Sequence, residues 1–186
     1  MIKQIEIGNL VLEDYQELLS VMKAAYPLWQ GSYWSEGAIE RIINQFPQGQ
    51  IVLKADGKVV GCALSIIIDY ALFGDVHTYK EITGNYRFDT HNPAGNVLYG
   101  IEIFIHPDYR GLRLGRRMYD ARKELCEHLN LKAIVFGGRI PNYHKYADQI
   151  SPKEYIQKVK LREIYDPVLS FQLANDFHVK KVLKNY

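Results

Sequence analysis

The sequence predicts an α/β protein: a central mixed β-sheet flanked by helices on both faces. Three observations carry that class. Apolar runs with strand character alternate with runs of helical spacing along the whole chain. An Asp56-Gly57 dipeptide joins two of the apolar runs in the manner of a tight hairpin. A third apolar run is followed by a long amphipathic stretch and then a fourth, which reads as a right-handed crossover between parallel strands.

Residues 2–7 alternate as a strand, with Ile2, Gln4 and Glu6 on one side and Lys3, Ile5 and Ile7 on the other. Residues 10–26 turn to helical spacing, placing Tyr15, Leu18, Leu19, Met22, Ala25 and Tyr26 together before Pro27 stops the helix. A second helix starts after Ser35, with Ala38, Ile42 and Phe46 inward and Pro47 at its end. Residues 51–55 and 59–70 are the hairpin strands, and residues 69–96 show no sustained period. Residues 97–105 form a strand, residues 112–129 a helix with Leu114, Met118, Ala121 and Leu125 on its stripe, and residues 133–136 a short strand buried on both faces. Ser151-Pro152-Lys153-Glu154 is a capping box that starts a helix reaching about Leu161. Asp166-Pro167 starts another, carrying Val168, Leu169, Phe171 and Leu173, and residues 177–183 close with a strand. Residues 1–186 read as one domain with a helical insertion at about 139–165.

The 186 residues are 47% hydrophobic and 24% charged, which excludes disorder as the main state. The longest uncharged apolar stretch, residues 59–68, is half a membrane span, the first residues do not start a secretory signal, and the only cysteines are Cys62 and Cys126. A reducing, cytoplasmic setting without a disulfide framework or membrane partner is therefore expected. A net charge of +2 argues against a nucleic-acid partner while leaving room for a local basic site, and Asp120, Glu124 and Glu127 interrupt the basic face of residues 110–123. His77, His91, His106, His128, His144 and His178 lack metal-ligand spacing, so no metal is expected. There is no G-x-S-x-G elbow.

The informative run is residues 100–118. An apolar strand ends at His106-Pro107, a turn holds Arg110-Gly111, and a helix follows at once. Such a corner aims unpaired backbone N–H groups and the positive end of a helix dipole at one point, and Arg110, Arg113, Arg116 and Arg117 surround it. The combination describes a pocket for a diphosphate-sized anion. Neither G-x-x-x-x-G-K-[ST] nor G-x-G-x-x-G is present, and the plain alternative is a solvated helix face.

Residues 110–115 resemble the Arg/Gln-x-x-Gly-x-Gly/Ala signature of the GNAT superfamily of acetyl-CoA-dependent N-acetyltransferases, and the order of elements over residues 2–183 resembles that fold. More narrowly, residues 109–117 and 137–146 resemble the acetyltransferase modules that precede a carbon–nitrogen hydrolase domain. The resemblance implies acetyl-CoA as co-substrate. The backbone of Ile103, Phe104 and Ile105 would pair with the pantetheine arm as an added strand. Arg110, Gly111, Leu112, Arg113, Leu114, Gly115 and Arg116 would hold the pyrophosphate. Arg113 stands where the signature has glycine; in a helical conformation it either adds an ionic contact or weakens the cofactor site. The implied acceptor is a small-molecule amine or a peptide amine, and a carbon–nitrogen hydrolase domain or a second copy of the chain are the implied partners.

Attack on a thioester needs a neutral amine, which gives a base a role. Glu102 is the only acid in the apolar strand. Strict alternation places it with Gly100, Phe104 and His106, opposite Tyr99, Ile101, Ile103 and Ile105. Burial there would raise its pKa toward neutrality; the competing role is a partner for an arginine across the sheet. The tyrosine that many relatives place before the last strand is absent near Phe171, leaving Tyr143, Tyr146 or Tyr165 as substitutes for a general acid. Tyr26, Trp29, Trp34, Tyr70, Tyr79, Tyr86, Tyr143 and Tyr146 are the candidate acceptor walls. A chain that keeps this fold and binds coenzyme A without turnover, as a regulatory module, is the second reading.

Overall fold

The computed structural model describes residues 2–28 and 33–183. They fall into two compact units, one comprising residues 1–74 and 79–136, the other residues 75–78 and 137–186.

The first unit is a five-stranded sheet in the order β1-β2-β3-β4-β5. Its strands are β1 (Ile5–Asn9), β2 (Ile51–Ala55), β3 (Lys58–Ile68), β4 (Val97–Ile105) and β5 (Ala133–Phe136). The first four are antiparallel neighbours, and β4 and β5 run parallel. Helix α1 (Tyr15–Ala25), entered through a 3₁₀ turn at Leu12–Asp14, and α2 (Glu36–Gln45) cover one face. The long helix α5 (Leu114–His128) supplies the crossover to β5 and covers the other. Residues 69–96 contain two one-turn helices, α3 (Tyr70–Phe73) and α4 (Tyr79–Ile82). Beyond α4, Asn85, Tyr86 and Phe88 all have positive φ, so this stretch lacks periodicity because it is a chain of tight turns.

The α1–α2 face buries Leu18, Met22, Ile39 and Ile42 against Cys62, Leu64, Ile66 and Ile68 of β3. Full burial of each such side chain contributes roughly 1.5–3 kcal/mol. On the other face Leu114 and Met118 pack against Leu53, Val60 and Ala63, with Ile103 and Ile105 alongside.

Strand β4 departs from strict alternation. Glu102 pairs with Leu64 and Gly100 with Ser65, so Ile101 is an extra residue with no partner across the ladder. This bulge puts Ile101 on the α1–α2 face with Tyr99 and Phe104, while Ile103 and Ile105 belong to the α5 face. The grouping of Tyr99 and Ile101 with Ile103 and Ile105 expected from period two is therefore wrong, because the inserted residue reverses the alternation beyond it.

Two further expectations are corrected. Strand β5 is an edge strand, exposed at Ala133 and half-buried elsewhere, not buried on both faces. Residues 177–183 form no strand. Val179 and Val182 instead pack onto the core of the second unit.

That second unit contains α6 (Pro152–Lys160), begun by the Ser151–Glu154 capping box, and α7 (Leu169–Leu173). Its core is Tyr155, Ile156, Val159 and Leu169. The fully buried Asp166 starts α7 by accepting from the Val168 and Leu169 N–H groups at 3.0 and 2.9 Å, and takes the Tyr155 hydroxyl at 2.8 Å. Burial and this carboxylate together push the Tyr155 phenol well above its ordinary range. Lys180 reaches Asp75 at 2.8 Å, tying residues 75–78 into the same unit. Among the described residues no helix is long and apolar enough to cross a membrane.

Candidate active site

The ladder between β4 and β5 runs from Val97–Ala133 to Gly100–Phe136 and ends there. From Ile101 to Ile105 the outer edge of β4 has no strand partner among the described residues. Beyond it the chain turns through a 3₁₀ segment at Pro107–Tyr109, capped by His106, whose Nδ1 accepts from the Asp108 N–H at 3.3 Å. It then enters α5.

The entry to α5 has no side-chain cap. Gly111 has φ +81° and open space where a Cβ would stand. Arg113, the N-cap, lies in the left-handed region at φ 58°, ψ 17°, not in a helical conformation as its position suggested. The left-handed turn explains why glycine is the usual residue there. The N–H groups of Gly111, Leu112, Arg113, Leu114 and Gly115 donate to no described residue; Arg116 is the first to bond back, to the Arg113 carbonyl at 3.1 Å. Arg110, Gly111, Leu112, Arg113 and Arg116 are exposed, while Leu114 and Gly115 are buried. Undonated N–H groups, a helix dipole and three exposed arginines at one corner fit a phosphate-bearing ligand.

The open edge and this corner are adjacent in the chain, and Glu102 lies on the same edge. Its Oε1 accepts from the Tyr26 hydroxyl at 2.8 Å and from the Ile103 N–H at 3.2 Å. Tyr26 is itself set by an edge-on contact with Phe104, ring centroids 5.9 Å apart, and by the Tyr33 hydroxyl on its carbonyl at 3.0 Å. The bulge is what turns Glu102 toward α1 and makes the Tyr26 contact possible. Around the same face Trp34 packs against Tyr79, Tyr86 and Phe88 at 6.3, 6.0 and 4.8 Å. Trp29, another expected wall, lies outside the described residues.

Two features of this edge escaped the sequence. Tyr26 is 76 residues from Glu102, and nothing local signals the contact. Arg122 did carry a signal: it continues the buried i, i+4 series Leu114, Met118, Arg122, Cys126, where a charged residue is out of place. It is fully buried, and it donates from Nε to Ser65 Oγ at 3.1 Å and from Nη2 to the Leu64 and Glu102 carbonyls at 2.6 and 2.5 Å. Burial pulls its pKa below the ordinary value, against the pull of Tyr119, Cys62 and Glu102.

In the second unit Tyr143 and Tyr146 pack on Tyr155 at 5.4 and 5.5 Å, and the Tyr143 hydroxyl donates to the Ile150 carbonyl. Tyr165 is 71% exposed. Cys62 and Cys126 are buried free thiols, and burial pushes both up in pKa. Among the described residues no three His, Cys, Asp or Glu side chains stand together as a metal site.

The chain is 39% identical over 184 residues to "Probable hydrolase YhcX" of Bacillus subtilis, covering 99% of this chain but only 36% of that protein. It is 32% identical over 182 residues to "Uncharacterized N-acetyltransferase YkwB" of the same organism, covering 97% of this chain and 80% of the other. In structure it resembles the loading GNATL domain of CurA from Lyngbya majuscula with a TM-score of 0.80 at 22% identity, over 96% of this chain and 87% of that one. The acetyltransferase (GNAT) family profile matches residues 12–147, a span that takes in strands β2 to β5, the open edge of β4 and the corner before α5; this chain belongs to that family.

Proposed function

We propose that the protein transfers an acetyl group from acetyl-CoA to a primary amine, on a small molecule or a peptide terminus, by direct attack. The observation that carries this reading is the row of undonated N–H groups at residues 111–115 beside the unpaired edge of β4. Backbone groups of Ile103, Phe104 and Ile105 would take the pantetheine arm along that edge, and the N–H row with Arg110, Arg113 and Arg116 would take the pyrophosphate. When bound, acetyl-CoA supplies an activated acyl group as a thioester. Glu102, steadied by Tyr26, accepts the proton that the acceptor ammonium must lose before it can attack. Half-buried aromatic rings around Trp34 and Tyr79 exclude water and wall the acceptor. The name of the relative YkwB supports transfer to nitrogen. The relative YhcX supports a hydrolase as the functional partner of such a module.

Thiol release from acetyl-CoA, followed across a panel of amines, tests the reading. Glu102→Gln should lower kcat about 100-fold or more, the usual scale for a lost general base. Unchanged kcat across the pH range would remove Glu102 from that role. Tight calorimetric binding of coenzyme A with no thiol release from any amine would assign the chain to the regulatory reading instead.

A further inference from the structure

We propose that Arg122 is the positioning residue of this site: its guanidinium locks the β4 bulge that turns Glu102 to the acceptor face and holds the edge beyond it open. The inference rests on Glu102 acting as the base.

The bulge is where two strands disagree in length. On β3 the residues facing it are Leu64 and Ser65; on β4 the extra residue is Ile101 and the first residue beyond it is Glu102. Arg122 binds both sides, with the Leu64 carbonyl and Ser65 hydroxyl on β3 and the Glu102 carbonyl on β4. A planar fork with several fixed donors spans two strands in this way, from Nε and Nη2 together; an ammonium offers its donors from a single nitrogen on a flexible stem and does not reproduce that spread. All three acceptors are uncharged oxygens, and the Glu102 carboxylate acts on the cation through its charge and not through a hydrogen bond. A methionine would fill the same place on the apolar stripe of α5 without burying a charge. What the arginine provides is the geometry of the strand it grips.

Two neighbours fit that role. On the opposite face the Tyr79 hydroxyl donates to the Ile101 carbonyl at 3.0 Å, so the carbonyls of both bulge residues are held, one from each side of the sheet. Gly100, the last β4 residue paired to β5, leaves room for the guanidinium. A Cβ there would stand 3.1 Å from Arg122 Nη1 and 3.2 Å from the Phe136 Cβ. If the bulge relaxed into regular pleating, residues 102–105 would change faces, and Glu102 would point toward α5, away from Tyr26.

The test uses Arg122→Lys, which keeps a charge, and Gly100→Ala, which keeps the arginine but crowds it. Amide hydrogen exchange of the free protein, read by mass spectrometry, should show residues 101–105 exchanging at least about 10-fold faster in both variants, with residues 97–99 within about 2-fold of wild type. In the thiol-release assay kcat should fall at least about 30-fold, with a higher KM for acetyl-CoA because residues 103–105 carry the pantetheine arm, while calorimetric affinity for ADP, which reaches only the pyrophosphate corner, stays within about 3-fold. Unchanged exchange at residues 101–105 in folded variants, or acceleration spread evenly over β4, overturns the lock. So does an equal loss in kcat and in ADP affinity. If wild type releases no thiol with any amine, the transferase reading fails by itself, and the exchange pattern alone decides whether Arg122 holds the bulge.

Discussion

Arg113 shows what one residue's backbone can hide. A left-handed φ of 58° costs a non-glycine residue about 1–2 kcal/mol, part of which glycine would return as entropy of the unfolded chain. Arg113→Gly is therefore expected to leave stability unchanged or raise it by up to about 1 kcal/mol, a Tm gain of at most roughly 4 °C by thermal denaturation. The same substitution removes a cation from the corner, so calorimetric affinity for coenzyme A should weaken several-fold, more at low salt. A tighter complex would mean that the arginine obstructs the site. The motif around Arg113 is legible in the sequence, because N–H groups at a strand-to-helix corner depend on element order. The sign of its φ is not, since only a glycine would advertise it.

Among elements, β3 and β4 are pinned by side chains where their ladders run out. β2 ends at Ile51, and the fully buried Gln50 amide takes over from it. Its Nε2 donates to the Phe46 and Ser65 carbonyls, both at 2.8 Å, and its Oε1 accepts from the Ser65 N–H at 3.2 Å. Gln50→Leu would strand the Ser65 N–H and carbonyl and leave the Phe46 carbonyl with the Gly49 N–H alone. At about 1 kcal/mol or more for each stranded group, it should cost roughly 2 kcal/mol and lower Tm by about 4–8 °C, measured by denaturant and thermal unfolding. A loss below about 1 kcal/mol would show that water replaces the amide. Periodicity located β2, β3, β4, α2 and α5, whose packing is dictated by their own repeat. It failed at the bulge, because an inserted residue costs the pattern nothing until a partner strand fixes the register.

Across the whole molecule, charge is nearly balanced, with 23 basic and 21 acidic side chains, so the response to pH falls to individual buried groups. His91 is half-buried, stacked on Phe46 at 5.1 Å, and its Nδ1 accepts the Ile67 N–H at 3.1 Å. Burial lowers its pKa from 6.5, so the folded protein holds it neutral where the unfolded chain would already take up a proton. The stability this confers is complete above pH 6.5 and drains away as pH falls through the lowered value. Tm measured between pH 7.5 and 5 should therefore fall more in wild type than in His91→Asn, and parallel curves would clear His91 of the effect. Layered architecture of this kind was legible apart from the burial of β5 and the last expected strand, where Val179 and Val182 serve a helical unit's core instead of a sheet. The extra residue at Ile101 leaves a mark on heredity as well. A single-codon deletion at Ile101 would close the bulge and leave Gly100 and Glu102 on their present faces, whereas regular pairing that keeps Ile101 would reverse residues 102–105. Chimeras between relatives should therefore exchange residues 97–105 as one indivisible block, or lose the carboxylate's aim altogether.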